Sequence, residues 1–220
     1  MNPRLWGDWL IVDLAGPQRV LSWSINRPGF QIAKRIAWLH VKELPDGVPV
    51  ECWFQQMLDQ ADLADAVGLI TSRRLSAFVS VTVEVEGVEA TCVATVGLSN
   101  AERVGAKRLG SAPHAGTINI LVTVSAALTE AAQIEALSIA AQARTTAVME
   151  FGPTYSGSAR MTGTGTDCIA IAAPAGDTPY CGLHTACGEA IGRAVYDAVA
   201  QGVRDWMAEQ AECAGAAQIA

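Results

Sequence analysis

The order in which strand-like and helix-like segments follow one another constrains the fold of this chain more than any other feature. Apolar runs typical of strands come first, then a helix, further strands, a long helix, one strand and a final long helix. A regular alternation of strand and helix favours a parallel sheet, and this order departs from it. The sequence therefore predicts a mixed α/β (α+β) fold, a single domain over residues 1–220 in which helices are layered on an antiparallel-rich mixed sheet.

The predicted strands are apolar, β-branched runs bounded by turn residues. Gly16-Pro17 and Pro28-Gly29 separate the first three runs, and Gly87 joins two later runs in a hairpin. The predicted strands cover 10–14, 20–25, 36–41, 68–71, 78–85, 90–96, 116–124 and 168–173. This pattern leaves the order of the strands in the sheet open.

Apolar side chains at helical spacing predict three helices. The predicted helices cover 50–66, 129–150 and 185–209. The second has an apolar stripe that begins at Ile134 and a separate alanine-rich face, so we expect it to be covered on two sides. In the third, Gly188 and Gly192 lie one turn apart, which allows another backbone or a ligand to approach closely.

Composition and charge argue against two classes of partner. Acidic residues outnumber basic ones by 22 to 15, which gives a net charge of −7 and no basic excess for a nucleic-acid backbone. No apolar run approaches the roughly 20 residues of a membrane-spanning helix, and the N-terminus lacks a signal-peptide pattern. We therefore expect a cytoplasmic protein with neither a nucleic-acid nor a membrane partner, and leave homo-oligomerisation open.

The six cysteines show neither the pattern of a disulfide framework nor that of a zinc site. They are scattered without a C-x-x-C pair, which predicts small buried side chains in a reducing compartment. Cys181, His184 and Cys187 form the one suggestive grouping, but structural zinc sites use tighter pairs and a fourth ligand. We therefore predict no disulfide framework, no structural metal site and no cofactor, and leave a catalytic metal ion as an alternative.

A polar run at 162–167, with the sequence TGTGTD, precedes the last predicted strand. Its two glycines let main-chain donors and side-chain oxygens converge on one ligand. The alternative is a tight turn capped by threonine and aspartate. Asp167 lies at the start of a strand beside three hydroxyl groups, which favours a site, with Thr164 and Thr166 as substrate-binding candidates.

His184 is the histidine with the strongest context for proton transfer. It lies near the predicted N-terminus of the last helix, where the helix field keeps an imidazole neutral. Glu189 either assists His184 or forms a surface pair with Arg193. Positions 184 and 189 are about 140° apart on a helix, so contact between them needs a nonhelical first turn. His40 is expected to be structural, and His114 lies in a loop that either closes over a ligand or is simply exposed.

Asn100 and Asn119 complete the set of candidate polar residues. Asn100 lies in the segment GLSNA at 97–101, and Asn119 lies in the middle of the predicted strand 116–124. A buried amide needs hydrogen-bond partners. Each asparagine therefore either joins two loops or donates to a substrate oxygen.

Tryptophans crowd the first quarter of the chain, at Trp6, Trp9, Trp23, Trp38 and Trp53. Each can bury a large apolar area, so core packing is expected for most of them. Stacking on a flat ligand is the alternative.

Four motifs occur in a recognisable order. They are GLSNA at 97–101, GTINI at 116–120, GTGTD at 163–167, and GLHT at 182–185 with GEAIGRAVY at 188–196. With these motifs the chain resembles the adenosylcobinamide amidohydrolases of corrinoid salvage. The resemblance covers roughly 68–199, and Leu183 and Ala106 stand where that family often has a lysine and an acid.

The resemblance implies hydrolysis of the amide that joins the aminopropanol arm to the corrin ring. The products would be adenosylcobyric acid and the amino alcohol, in cobalamin salvage, with the corrinoid as substrate rather than cofactor. Such a reaction needs an activated nucleophile, donors for the developing oxyanion and an acid for the leaving amine. The candidate catalytic residues are His184, Asp167 and Glu189, and the candidate substrate-binding residues are Asn100, Thr117, Asn119, Thr164, Thr166 and Thr185.

Direct attack by water is the preferred mechanism, with His184 as base and then acid, Asp167 as its partner, and the two asparagines as donors to the carbonyl oxygen. Covalent attack by a threonine hydroxyl beside a base is the alternative.

Two other classes of protein stay open. One is a corrinoid-binding or sensing module without catalysis, and the other is a metal-dependent hydrolase with Asp167, His184 and Glu189 as ligands.

Overall fold

A computed structural model, which describes residues 2–106, 116–154 and 159–217, contains three helices and ten strands within these ranges. The helices are α1 (Val50–Gln60), α2 (Glu130–Phe151) and α3 (Ala186–Ala217). The strands are β1 (Pro3–Trp6), β2 (Trp9–Ser22), β3 (Gly29–His40), β4 (Val67–Thr71), β5 (Val79–Val85), β6 (Val88–Val96), β7 (Ala101–Glu102), β8 (Ile118–Val124), β9 (Gly163–Thr164) and β10 (Cys168–Ala173).

One large mixed sheet contains eight of these strands. Its order is β4-β3-β2-β10-β8-β6-β5, with β1 paired to β2, and the short strands β7 and β9 form a separate pair. Strand β10 is parallel to β8 and β3 is parallel to β4, whereas the other pairs of the sheet are antiparallel. The predicted fold class, a mixed and antiparallel-rich sheet layered with helices, is confirmed.

Strand β2 corrects the prediction that Gly16-Pro17 ends a strand. The chain continues through this dipeptide as one strand of 14 residues. Its register against β3 shifts between Asp13 and Gln18, which marks a bulge or similar irregularity around the proline. Proline lacks an N–H donor, and a bulge is one of the few places where a sheet tolerates it.

Helix α2 corrects the predicted role of its two faces. Thr129 caps its N-terminus by accepting a hydrogen bond from the backbone N–H of Ala132, at 3.1 Å. The alanine face is the buried one, with Ala136 and Ala140 fully enclosed, whereas Ile134 is 55% exposed. Small side chains let α2 pack closely on its neighbours, and the larger apolar side chains Ile139 and Val148 are buried with them. Helix α1 is also shorter than predicted, and α3 extends past the predicted end at 209.

The core lies on both faces of the sheet. Helices α2 and α3 cover one face over β5, β6, β8 and β10, and α1 packs on β2 and β3. A third apolar cluster, which includes Trp38, Leu69 and Leu121, joins β3, β4 and β8. The Asn119 Nδ2 group donates to the carbonyl of Ile70, at 2.7 Å. Since three strands separate β4 from β8 in the sheet order, this bond shows that the sheet curls.

Among the residues that the structure describes, no helix has both the length and the apolar character needed to cross a membrane.

Candidate functional site

The site is a cavity of about 630 Å³ at the edge of the sheet where β8 and β10 begin. These two strands are neighbours and parallel, so their N-terminal ends meet at the same edge. The segment after β2, strand β4 and the turn after β6 supply the other walls. Of the predicted site residues, Asn100, Thr117, Asn119, Thr166 and Asp167 all line this cavity.

Asp167 is held by four donors just before β10. Its Oδ1 accepts from the backbone N–H of Ile118, at 3.1 Å, and from the Thr164 hydroxyl. Its Oδ2 accepts from the backbone N–H of Thr164, at 3.1 Å, and forms an ion pair with Arg144 of α2. Burial lowers the pKa of the Arg144 guanidinium, although the ion pair favours its charged form. The carboxylate therefore fixes the turn as well as facing the cavity.

The threonine hydroxyls connect the two strand entrances. Thr166 Oγ1 donates to the carbonyl of Gly116, at 3.0 Å, and Thr117 Oγ1 donates to the carbonyl of Thr166, at 2.8 Å. Thr164 does not line the cavity, but it is bonded to Asp167. The predicted turn and the predicted site are thus one structure, because the capping bonds hold the polar groups at the cavity wall.

The two asparagines have different environments. Asn119 is 1% exposed, and its Nδ2 is engaged by Ile70, so it joins β8 to β4. Asn100 Nδ2 donates to Thr166 Oγ1 at 3.3 Å. The Asn100 Oδ1 atom is buried and has no hydrogen-bond donor among the described residues. A buried acceptor without a partner is destabilising, so a ligand donor that reached this oxygen after a small movement of the Asn100 side chain would be stabilising.

His184, Thr185 and Glu189 lie at the opposite end of the sheet. Helix α3 begins after β10 has ended, and the backbone N–H of Cys181, just before α3, donates to Glu135 at 2.7 Å. Arg144, which binds Asp167, lies nine residues further along α2, or about 13 Å along the helix axis. The structure therefore does not bring these three residues together with Asp167.

Local contacts account for these three residues at the start of α3. Thr185 Oγ1 accepts from the backbone N–H of Gly188, at 3.0 Å, and thereby caps the helix. Glu189 is exposed and forms an i,i+4 pair with Arg193 at 3.5 Å. His184 is exposed in the preceding turn, and its role as a base stays a prediction. His40 lies half-buried at the end of β3, and His114 lies outside the described residues.

Cysteine pairing corrects the sequence analysis. Cys181 and Cys187, both buried, form a disulfide across the turn that contains His184. The separation of six residues resembled a poor zinc pair, and it instead brings the two Cα atoms to 5.3 Å, within the range of a disulfide. Among the described residues, no three His, Cys, Asp or Glu side chains form a metal-binding group, and the Asp167, His184 and Glu189 ligand set is not assembled.

Arg144 and Thr71 belong to the site but were missed by sequence reasoning, which also left the role of Trp23 undecided. Arg144 is the one basic residue of α2, and an isolated charge on an alanine-rich helix is the signal that could have identified it. Thr71, at the end of β4, lines the cavity and is almost completely buried. Trp23 also lines it, and its Nε1–H donates to the carbonyl of Asp167 at 2.6 Å. Cys168 lines it too, and burial raises its pKa to about 12, so it stays a neutral thiol.

The fold and the cavity define a mixed α/β protein with one candidate site among the described residues. The sequence profile of the family described as adenosylcobinamide amidohydrolase matches residues 4–211, and the chain belongs to that family. The match extends past both ends of the region 68–199 that carries the recognised motifs. No curated protein matches this sequence.

One similar solved structure is the crystal structure of the PH0078 protein from Pyrococcus horikoshii OT3. Its chain is 11% identical, and the alignment covers 88% of this chain and 76% of that chain with a TM-score of 0.44.

Proposed function

We propose that this protein hydrolyses the aminopropanol amide of adenosylcobinamide or a related cobamide, and that the reaction takes place in the cavity at the start of β8 and β10. Family membership supports the reaction class. The observation that carries the choice of site is the cavity itself, where one acid, two amides and three threonine hydroxyls converge from distant parts of the chain. The products would be adenosylcobyric acid and the free amino alcohol.

The buried Asn100 Oδ1 is the first contact that we propose for the scissile amide. The amide of the aminopropanol arm carries an N–H donor, and Asn100 Oδ1 lacks a donor among the described residues. Pairing the two removes the penalty of a buried unsatisfied acceptor. The Thr166 hydroxyl donates to the Gly116 carbonyl and accepts from Asn100 Nδ2, so its remaining lone pair can accept a hydrogen bond from the same arm.

Asp167 is the proposed proton acceptor for the attacking water. It is the one carboxylate among the described residues that line the cavity, and the Arg144 ion pair favours its charged form. Rotation of the Thr164 hydroxyl away from Oδ1 would free a lone pair for the water. Asp167 would take a proton from the water as the water oxygen attacks the carbonyl carbon. It would return the proton to the departing amine when the C–N bond breaks.

Covalent attack by Thr164 or Thr166 is the alternative within the same cavity. Water is favoured because Thr164 does not line the cavity, and the Thr166 hydroxyl is engaged by the Gly116 carbonyl. His184, Glu189 and Thr185 are not used in this proposal, because they lie at the other end of β10.

Turnover in water enriched in heavy oxygen tests the reaction. Incubation with adenosylcobinamide should place one heavy oxygen in the new carboxylate of the corrinoid and release an equal amount of 1-amino-2-propanol, as measured by mass spectrometry. A burst of amine before the acid appears would favour the threonine ester. Saturable binding with unchanged corrinoid after prolonged incubation would refute the hydrolase and leave the corrinoid-binding module.

A further inference from the structure

The cavity combines buried polar side chains with exposed apolar ones. Its buried lining includes three polar side chains, Thr71 at 1%, Thr117 at 5% and Asn119 at 1% exposure, beside the apolar Leu69 at 2%. Its exposed lining includes the large apolar side chains Trp23 at 46% and Leu44 at 47%, beside the polar Thr166. Exposed apolar side chains that are contiguous with a polar interior are typical of a binding surface rather than a core.

Trp23, Ile25 and Leu44 define this surface, which we call the apolar rim. Trp23 is fixed there, because its Nε1–H donates to the carbonyl of Asp167 at 2.6 Å. A ring that is already held in place loses little conformational entropy when a ligand stacks on it. The same hydrogen bond ties the rim to the turn that carries the proposed proton acceptor.

The size of the cavity limits what can enter it. A volume of about 630 Å³ suits a drug-sized ligand, whereas a corrin ring with its amide side chains and an adenosyl group is considerably larger. The cavity can therefore hold one arm and an edge of the ring, and the rest of the ring must lie outside. The surface directly outside is the apolar rim.

We infer that Trp23, with Ile25 and Leu44, is the platform on which the corrin ring lies while the aminopropanol arm reaches the buried polar side chains of the cavity. This inference rests on the proposed function for the identity of the ligand. It makes Trp23 a specificity-determining residue that acts through the ring, whereas Thr166 acts through the arm. The two roles predict different responses to corrinoids with and without the arm.

Titration of the protein into corrinoid on ice, followed by the absorption of the corrinoid immediately after mixing, measures binding before turnover. The dissociation constant is compared for adenosylcobinamide at short times on ice and for adenosylcobyric acid, which has the ring but no aminopropanol arm. Trp23→Ala should weaken binding of both compounds by about tenfold or more, as expected for the loss of one stacked ring. Thr166→Val should weaken binding of adenosylcobinamide alone.

Three further variants separate stacking from other effects. Trp6→Ala removes a tryptophan that is 52% exposed and does not line the cavity, and it should leave both dissociation constants unchanged. Trp23→Phe keeps an aromatic face but loses the bond to Asp167, and it should retain most of the affinity. Leu44→Ala removes rim surface without touching the Asp167 turn, and it should weaken binding of both corrinoids by a smaller factor.

The outcomes distinguish this inference from the proposed function. Hydrolysis by the parent protein together with equal affinities in Trp23→Ala and Trp6→Ala would overturn the platform and leave the hydrolase intact. Trp23-dependent binding of both corrinoids without any hydrolysis would support the platform and refute the proposed hydrolase activity. A loss in Trp23→Phe as large as in Trp23→Ala would assign the effect to the Asp167 hydrogen bond and would also overturn the platform.

Discussion

Asp167 and His184 give opposite predictions at the scale of single residues. Asp167→Asn should lower kcat by about a hundredfold or more, because it removes the proposed proton acceptor. His184→Ala should retain turnover close to that of the parent, because His184 is exposed at the far end of β10. Steady-state kinetics on adenosylcobinamide measures both.

The ion pair with Arg144 requires a control for stability. Asp167→Asn leaves a partly buried guanidinium without its partner, so circular dichroism and corrinoid binding must show that the variant is folded. Asp167→Glu keeps the charge but displaces the carboxylate, and it should also lose most of its turnover. A hundredfold loss of kcat in His184→Ala, with normal turnover in Asp167→Asn, would show that the catalytic residues lie at the start of α3.

Gly116 and Gly165 form a matched pair in the wall of the cavity. A Cβ on Gly116 would lie 2.8 Å from the backbone nitrogen of Ser99 and 3.1 Å from Asn100 Oδ1, closer than such atoms pack. A Cβ on Gly165 would meet nothing within 4 Å. Gly116→Ala should therefore displace the Asn100 turn and lower kcat/KM by about tenfold or more, as a small misplacement of a binding group can do. Gly165→Ala should have a much smaller effect, and equal losses in the two variants would contradict this account.

The disulfide before α3 gives a prediction at the scale of one element. By loop-closure entropy, a bond that closes about seven residues contributes about 2 kcal/mol to the free energy of unfolding. Cys181→Ser with Cys187→Ser should therefore lower Tm by about 4–8 °C. Turnover should not change, because the cavity lies at the other end of the sheet. Cys52→Ser, at an exposed free cysteine, is the control and should leave Tm unchanged.

The C-terminal part of α3 is tied to the segment after β4 by charge. Glu209 accepts from Arg73 Nη2 at 2.9 Å and pairs with Arg74 at 3.2 Å. The hydrogen bond from Arg73 lowers the pKa of Glu209, so its stabilising contribution is present above the pKa of the unfolded chain and is lost as the pH falls. Glu209→Gln should be less stable than the parent in urea at pH 7, and the difference should shrink below about pH 4. A difference that does not depend on pH would rule out the charge as its cause.

At the scale of the whole molecule, local sequence patterns predicted the helices and strands but not which residues of different elements come into contact. The spacing of apolar residues and the presence of turn-forming residues are enough to predict the hairpin at Gly87 and the strand before Pro174. The pairing of Asp167 with Arg144 spans 23 residues, and no spacing in the sequence indicates it. His184 is close to Asp167 in sequence, but the extended strand β10 carries the two apart, because six residues of strand span about 16 Å.

Asn119 links the curvature of the sheet to the shape of the cavity. It joins β8 to β4 through the Ile70 carbonyl, so residues from both halves of the chain reach one cavity. Asn119→Leu removes the donor and leaves that carbonyl without its partner, which should lower the free energy of unfolding by about 1–3 kcal/mol. The two walls should also separate, so the affinity for adenosylcobinamide should fall.

Thr95 supplies the matched control for this last prediction. It is the residue paired with Asn119 between β6 and β8, it is fully buried, and its hydroxyl has no partner among the described residues. Thr95→Val keeps the shape and removes an unsatisfied polar group, so stability should stay the same or rise, with unchanged affinity. Urea unfolding and the absorption titration with corrinoid on ice measure both properties. Equal loss of stability in the two variants would mean that packing at this point of the sheet, and not the bond between β8 and β4, holds the cavity together.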